Sequence, residues 1–279
     1  MGRKQVIRAN DVARAKKDLN TRLDHPAPAI DRDGDGYWGP AVVCASTTWG
    51  DFERWLDVND GRMRRWVFEP LNDGTGKGRV VIYGQSTFVH ANTESSIQTS
   101  ITMQIQRAGD DINLIGTVRG GQVTCITGSF GQEPNASLRP VDLSVGGVVM
   151  AAIHNFPFPN VIVEVAYKNE SLSNLRAKLQ RWMDPAYSSV QVAMGIKIFA
   201  GPVTSRRLTI LHRRGHPIQE VEFGLEHDHP LPLTFPLGAI YFGVHLPPVL
   251  DGLEDRPISI DLVSLRAVIN TAVQREIGD

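Results

Sequence analysis

Residues 160–183, NVIVEVAYKNESLSNLRAKLQRWM, constrain the fold more than any other stretch of the chain. Val161, Ile162 and Val163 form an apolar β-branched run that reads as a buried strand. Ser171 then reads as a helix N-cap, and Leu172, Leu175, Leu179 and Trp182 fall on one stripe of the helix that follows. A strand buried on both faces needs such a helix to cover it. Within the strand stands one acid, Glu164, flanked by Val163 and Val165. A carboxylate in apolar surroundings is costly unless it is paired or bound to a metal.

Size and composition bound the alternatives. The chain has 279 residues, 42% hydrophobic and 21% charged, enough for one large domain or a domain with an extension. A formal net charge of −1 does not announce a nucleic-acid partner, so any such site must be a local patch. Two cysteines, Cys44 and Cys125, give no disulfide framework and fit an intracellular compartment, cytoplasmic or nuclear. No run approaches the length of a membrane span, and no membrane partner is expected.

Along the chain, residues 3–20 suggest a helix, followed by the polar, Pro/Asp/Gly-rich segment DHPAPAIDRDGDGYWGP. Thr48 reads as the cap of a helix carrying Phe52 and Trp55. Residues 66–69 and 79–83 read as strands, and 93–105 as a helix facing a sheet. Residues 113–118 and 122–127 suggest a hairpin across Arg119-Gly120-Gly121, and 137–145 another strand. Residues 190–199 form an apolar strand, 206–245 short strands, and 258–273 a strand running into a short helix. The expected architecture is α/β, a central mixed sheet flanked by helices. Its parts are an N-terminal helix and linker (1–45), a core (46–200) and a β-rich C-terminal extension packed on it (201–279).

Side chains alternate along a strand, so Glu164 and Ala166 share one face, which Lys168 would join if the strand ran that far. Lys178 lies one turn from Leu175 and Trp182, and its stem can carry the ammonium toward Glu164. Asp142, on the upstream strand candidate, offers a second carboxylate. Two carboxylates suit a hard cation such as Mg²⁺ or Mn²⁺, which would polarise a phosphate and activate water. A lysine beside them would orient that water or offset the developing charge.

This pattern resembles the Uma2 family of the PD-(D/E)XK restriction-endonuclease-like superfamily. The family shows a strand of the form hhhEV and then a helix whose lysine is displaced fourteen residues from the glutamate. An aromatic residue stands four further on. Here those positions are Glu164, Val165, Lys178 and Trp182. Upstream, Glu69 and His90 match the family's strand glutamate and the histidine that opens a helix, and the likeness runs through roughly residues 48–200. The family's Pro-Asp dipeptide reads Pro140-Val141-Asp142 here, and Ala166 stands where the usual lysine would be. The resemblance implies a restriction-endonuclease-like core and a Mg²⁺- or Mn²⁺-dependent nuclease cleaving DNA. Asp142 and Glu164 would bind metal, Lys178 would assist water, and Glu69 would complete the set. DNA is the expected partner, with a homodimer left open. The alternative is an inactive module of this fold that binds nucleic acid or a protein.

Other motifs carry less. Asp31-Arg32-Asp33-Gly34-Asp35-Gly36 starts like an EF-hand loop, but its twelfth position is Val42 rather than Glu, so a flexible acidic loop is expected. His227-Asp228-His229 and the pair His212 and His216 read as polar positions between strands. Arg54, Arg62, Arg64 and Arg65, and likewise Arg206, Arg207, Arg213 and Arg214, read as solvated faces or nucleic-acid patches.

Overall fold

The computed structural model describes residues 7–22, 25, 27–32, 35–59, 63–84, 86–109, 115–119, 123–124, 131–140, 151–152, 156–157, 159–168, 170–186, 188–199 and 206–278. Helix α1 (Ala9–Arg22) precedes a ribbon of β1 (Ala29–Ile30) and β2 (Gly36–Tyr37), then β3 (Ala41–Thr48), α2 (Trp49–Val58), β4 (Trp66–Pro70), β5 (Lys77–Ile82) and the long α3 (Phe88–Gly109). Next come β6 (Ile115–Arg119), β7 (Val123–Thr124), β8 (Gly131–Gln132), β9 (Ala136–Pro140), β10 (Ala151–Ala152), β11 (Phe156–Pro157) and β12 (Val161–Tyr167). The chain continues through α4 (Leu172–Met183), β13 (Val192–Ile198), β14 (Arg207–Arg213), β15 (Gln219–Glu222), β16 (Leu233–Pro236), β17 (Pro257–Ile260) and α5 (Leu262–Gly278).

Two main sheets result. One has strand order β3-β5-β4-β8-β7, and the other β15-β14-β13-β12-β9-β6. In the second, β12 and β13 are parallel and joined through α4, while every other pairing is antiparallel. This is a mixed α/β architecture with a central sheet between helices. Strands β14 and β15 extend that sheet, so residues beyond 200 pack on the core partly by joining it.

The period of two in β12 sorts the core. Val161, Val163, Val165 and Tyr167 join Val89, Ile97, Ile101 and Ile105 of α3 and Leu265 and Ile269 of α5 in one cluster. Ile162 and Ala166 face the other way, with Leu172, Leu175, Leu179 and Trp182 of α4. Each such side chain, fully buried, contributes roughly 1.5–3 kcal/mol of transfer free energy. The first sheet has its own core, where Val12, Ala15 and Leu19 of α1 and Phe52 and Leu56 of α2 pack with Trp66, Phe68 and Val80. Capping follows the sequence: Thr48 accepts the Asp51 N–H at 3.1 Å, and Ser171 accepts the Asn174 N–H at 3.3 Å.

Local expectations differ from the structure at three places. The expected hairpin is not one, because β6 pairs with β9 and β7 with β8, in different sheets. Alternation and turn residues locate strands and reversals, but the pairing partner is a long-range choice. The helix expected at 93–105 runs from Phe88 to Gly109, and the terminal helix is 17 residues long rather than short.

One glycine sets how closely α4 approaches the sheet. Gly195 of β13 is the register partner of Glu164. A Cβ there would lie 2.6 Å from Leu179 Cδ1 and 3.3 Å from both Leu175 methyls. Gly195→Val is expected to destabilise the protein by about 1–3 kcal/mol through overpacking. Urea denaturation checks this, as a lower midpoint with an unchanged slope.

Candidate active site

Glu164 projects from the α4 face of β12, and its side chain is 2% exposed. Trp182 Nε1 donates to Glu164 Oε1 at 2.7 Å, and Lys178 Nζ lies 3.8 Å from Oε2. The strand acid and the helix lysine therefore face each other, because residues 175, 178, 179 and 182 of α4 share the side laid on the sheet. Oε2 itself has no hydrogen-bond donor among the described residues.

The lysine's nearer partner is Glu170, in the short connection between β12 and α4. Lys178 Nζ pairs with Glu170 Oε1, and Arg65 Nη2 pairs with Glu170 Oε2. Arg65 Nη2 also donates to the Val165 carbonyl at 2.8 Å, tying the entry to β4 onto β12. Its Nη1 lies 2.9 Å from His90 Nε2. On its other side, His90 Nδ1 accepts the Thr87 N–H at 3.2 Å and lies 3.0 Å from Thr87 Oγ1. Burial, together with Arg65 and Lys178, holds His90 well below its ordinary value of 6.5, so it is neutral.

Lys197 completes the cluster. It is the register partner of Ala166 on β13 and donates to the Glu170 carbonyl at 2.7 Å. Asp35 Oδ2 lies 2.6 Å from its ammonium. Burial lowers the Lys197 pKa, with Asp35 acting in opposition. The lysine absent at position 166 thus has a neighbour of the same charge across the parallel ladder.

The two glutamates shift in opposite directions. Burial raises Glu164, with Lys178 opposing and Glu170 adding to the rise. Burial also acts to raise Glu170, but Lys178 and Arg65 outweigh it and hold the group below the ordinary value of 4.5.

The remaining expected residues sit as follows. Glu69, on β4, accepts from Arg79 Nε at 2.7 Å and from the Tyr83 hydroxyl at 2.5 Å. The Tyr83 ring lies 5.6 Å from Lys178 Nζ, so Glu69 borders the cluster at one residue's remove. Asp142 lies outside the described residues. The described part of β9 pairs Leu138 with Val161 and Ala136 with Val163, so it runs away from Glu164 toward Pro140. The residue at the Glu164 end of β9 is Asn135, whose Oδ1 accepts the Val165 N–H at 2.9 Å. Lys168 does not join the face: at φ 53° it leaves the strand and pairs with Glu276 of α5 at 2.7 Å. The histidines at 212, 216, 227 and 229 form no metal cluster, since no group of three or more His, Cys, Asp or Glu among the described residues is placed to hold an ion.

Glu170, Lys197 and Arg65 escaped sequence reasoning. The neighbours of Glu170 are polar, and Arg65 sits in a basic run that reads as a solvated face. Lys197 carried a signal, as a lone charge in an apolar strand, the same anomaly that marked Glu164.

The donor set bears on a hard cation in two ways. Glu164 Oε2 is a buried carboxylate oxygen with no hydrogen bond among the described residues, whereas Glu170 Oε1 is taken by Lys178 Nζ. Mg²⁺ is held by one or two carboxylates, with water and phosphate oxygens completing its shell. The formal charges of Arg65, Lys178 and Lys197 already match those of Glu164, Glu170 and Asp35. No group of three or more acids, histidines or cysteines among the described residues is placed to hold an ion, so a divalent cation at Glu164 would need further negative charge, such as a phosphodiester, to arrive with it.

No family model matches the chain, and no curated protein does. Among solved structures, it is similar to a candidate nuclease belonging to DUF820 from Anabaena variabilis. The TM-score is 0.42 at 10% identity, over 80% of this chain and 98% of that one. No helix among the described residues is long and apolar enough to cross a membrane.

The pKa directions set opposite pH dependences. Glu164, raised in the fold, retains its proton after the unfolded chain has lost it, so its contribution falls as pH rises above about 4.5. Glu170, lowered in the fold, contributes fully above about 4.5 and is lost as pH falls below it. Glu170→Gln is expected to cost about 3–5 kcal/mol at pH 7 by stranding Arg65 and Lys178. Glu164→Gln is expected to be far milder and to flatten the decline above about pH 4.5. Denaturation series on either side of that pH check both.

Proposed function

We propose that the chain has a restriction-endonuclease-like core and acts as a metal-dependent nuclease on DNA phosphodiester bonds. The observation that carries this reading is the meeting of Glu164 with Lys178 at 3.8 Å, with Glu164 Oε2 left without a donor among the described residues. Glu164 would hold Mg²⁺ or Mn²⁺, with Asp142 as the second carboxylate only if the chain beyond Pro140 turns back toward it, because β9 runs away from Glu164 up to that residue. Such an ion, when bound, polarises the phosphodiester and lowers the pKa of an attacking water. Lys178 would orient that water and offset charge gathering on the phosphoryl oxygens. Trp182 fixes Glu164 through its indole N–H, and Glu69 acts through Tyr83, which it holds against Lys178. Arg64, half exposed, belongs to a basic run able to meet backbone phosphates.

A second reading is a nuclease-like module that binds nucleic acid or a protein without hydrolysis. It is favoured by Asn135, a neutral amide at the β9 position beside Glu164, and by the charge balance of the cluster without a divalent ion.

Plasmid and single-stranded DNA incubated with Mg²⁺ or Mn²⁺ separate the two. Wild type is expected to cleave, and Glu164→Gln and Lys178→Met to lose about 100-fold or more while keeping a native circular dichroism spectrum. Equal cleavage by all three proteins removes the site assignment. No cleavage by any of them, with DNA still retarded in a mobility-shift assay, selects the second reading.

A further inference from the structure

The acidic loop that opens like a calcium site makes its contacts with α4 and β13. Asp35 Oδ2 pairs with Lys197 Nζ at 2.6 Å and accepts the Leu172 N–H at 3.0 Å. Asp31 Oδ2 accepts from Ser173 twice, from N–H at 3.1 Å and from Oγ at 2.7 Å. The two aspartates also brace each other: the Asp31 N–H donates to the Asp35 carbonyl at 2.8 Å, and the Asp35 N–H to Asp31 Oδ1 at 2.9 Å. A braced pair of carboxylates therefore lies over a lysine whose side chain is 1% exposed. Through the Glu170 carbonyl, that lysine joins the network containing Lys178 and Glu164.

The ribbon that carries these aspartates is lightly held. β1 and β2 have two residues each, pair only with one another, and leave Ala29 and Ile30 exposed. Ser171 caps the Asn174 N–H of α4, and the two aspartates take the Leu172 and Ser173 N–H groups of the same first turn. The lysine beneath the contact is buried and the aspartates over it are part-buried, whereas the outward side rests on a short ribbon whose β1 is exposed. An element so attached opens at lower free energy than the sheet beneath it.

We propose that Asp31 and Asp35 form an autoinhibitory strap. The Asp35 carboxylate holds Lys197, the Asp31 carboxylate holds Ser173, and together they close one side of the Glu164–Lys178 cluster; a polyanion competing for Lys197 releases them. The inhibitory consequence rests on the reading of that cluster as a phosphodiester site. Opening can be measured without it.

The test is acylation of Lys197 by an amine-reactive ester, followed by mass spectrometry, with exposed Lys17 as internal reference. Asp31→Asn/Asp35→Asn is expected to raise Lys197 labelling relative to Lys17 by about 10-fold or more. Single-stranded DNA added to wild type is expected to raise it in the same direction, and chloride at matched ionic strength less so. Ser173→Ala removes only one contact of Asp31 and serves if the double variant does not fold; a smaller rise is expected. Unchanged labelling in a folded variant overturns the strap, whatever the DNA does. Raised labelling, with faster DNA cleavage by the variant than by wild type, supports both readings. Raised labelling with no cleavage by either protein keeps the strap and removes the nuclease reading.

Discussion

The buried carboxylate of Glu170 is the point on which the arrangement turns. It is shared by Arg65, at the entry to β4, and Lys178 of α4, and its backbone carbonyl takes Lys197 of β13. One residue in a connecting turn thus ties the first sheet, the second sheet and the covering helix together. Charges this deep are not net stabilisers merely by being paired, because desolvation offsets much of the attraction. Their effect is on geometry: each cation has a defined partner, and losing one strands the rest. The raised pKa of Glu164 and the lowered pKa of Glu170 express the same competition. Glu170 holds the nearer claim on Lys178, which leaves Glu164 the less compensated charge.

Backbone strain collects around this network. Arg65 has φ 60° and Lys168 φ 53°, left-handed conformations that cost of order 1–3 kcal/mol each in residues with a side chain. Both turns re-aim a cation. Arg65 is turned inward, while its N–H donates to Glu133 Oε2 at 2.5 Å and Arg64 holds Glu133 Oε1 at 2.9 Å. Lys168 is turned out of β12 toward Glu276. The same backbone device brings one cation into the cluster and removes another from it.

Much of the local structure was legible. The caps at Thr48 and Ser171, the stripe of α4 and the alternation that places Glu164 with Ala166 all follow from residue type and spacing. The facing of Lys178 toward Glu164 follows from the same spacing once α4 lies on β12. Harder to read were features set by pairing. Residues 115–119 and 123–124 carried strand signals, yet their partners lie in two different sheets. The acidic loop at 31–35 looked solvent-bound because its residues are polar and rich in glycine. It is instead drawn to α4 and Lys197, more than 130 residues away in sequence.

The sequence by itself determined which segments are strands and helices, and which face of β12 carries the acid, because periods of two and 3.6 are properties of the backbone. The tertiary structure alone decided what surrounds that acid. Glu170, Lys197, Arg65 and Asp35 look like ordinary polar residues in one dimension. A charge declares itself buried only when distant strands fall into register and a helix closes over them. That register is set by the packing of the whole core rather than by any local pattern.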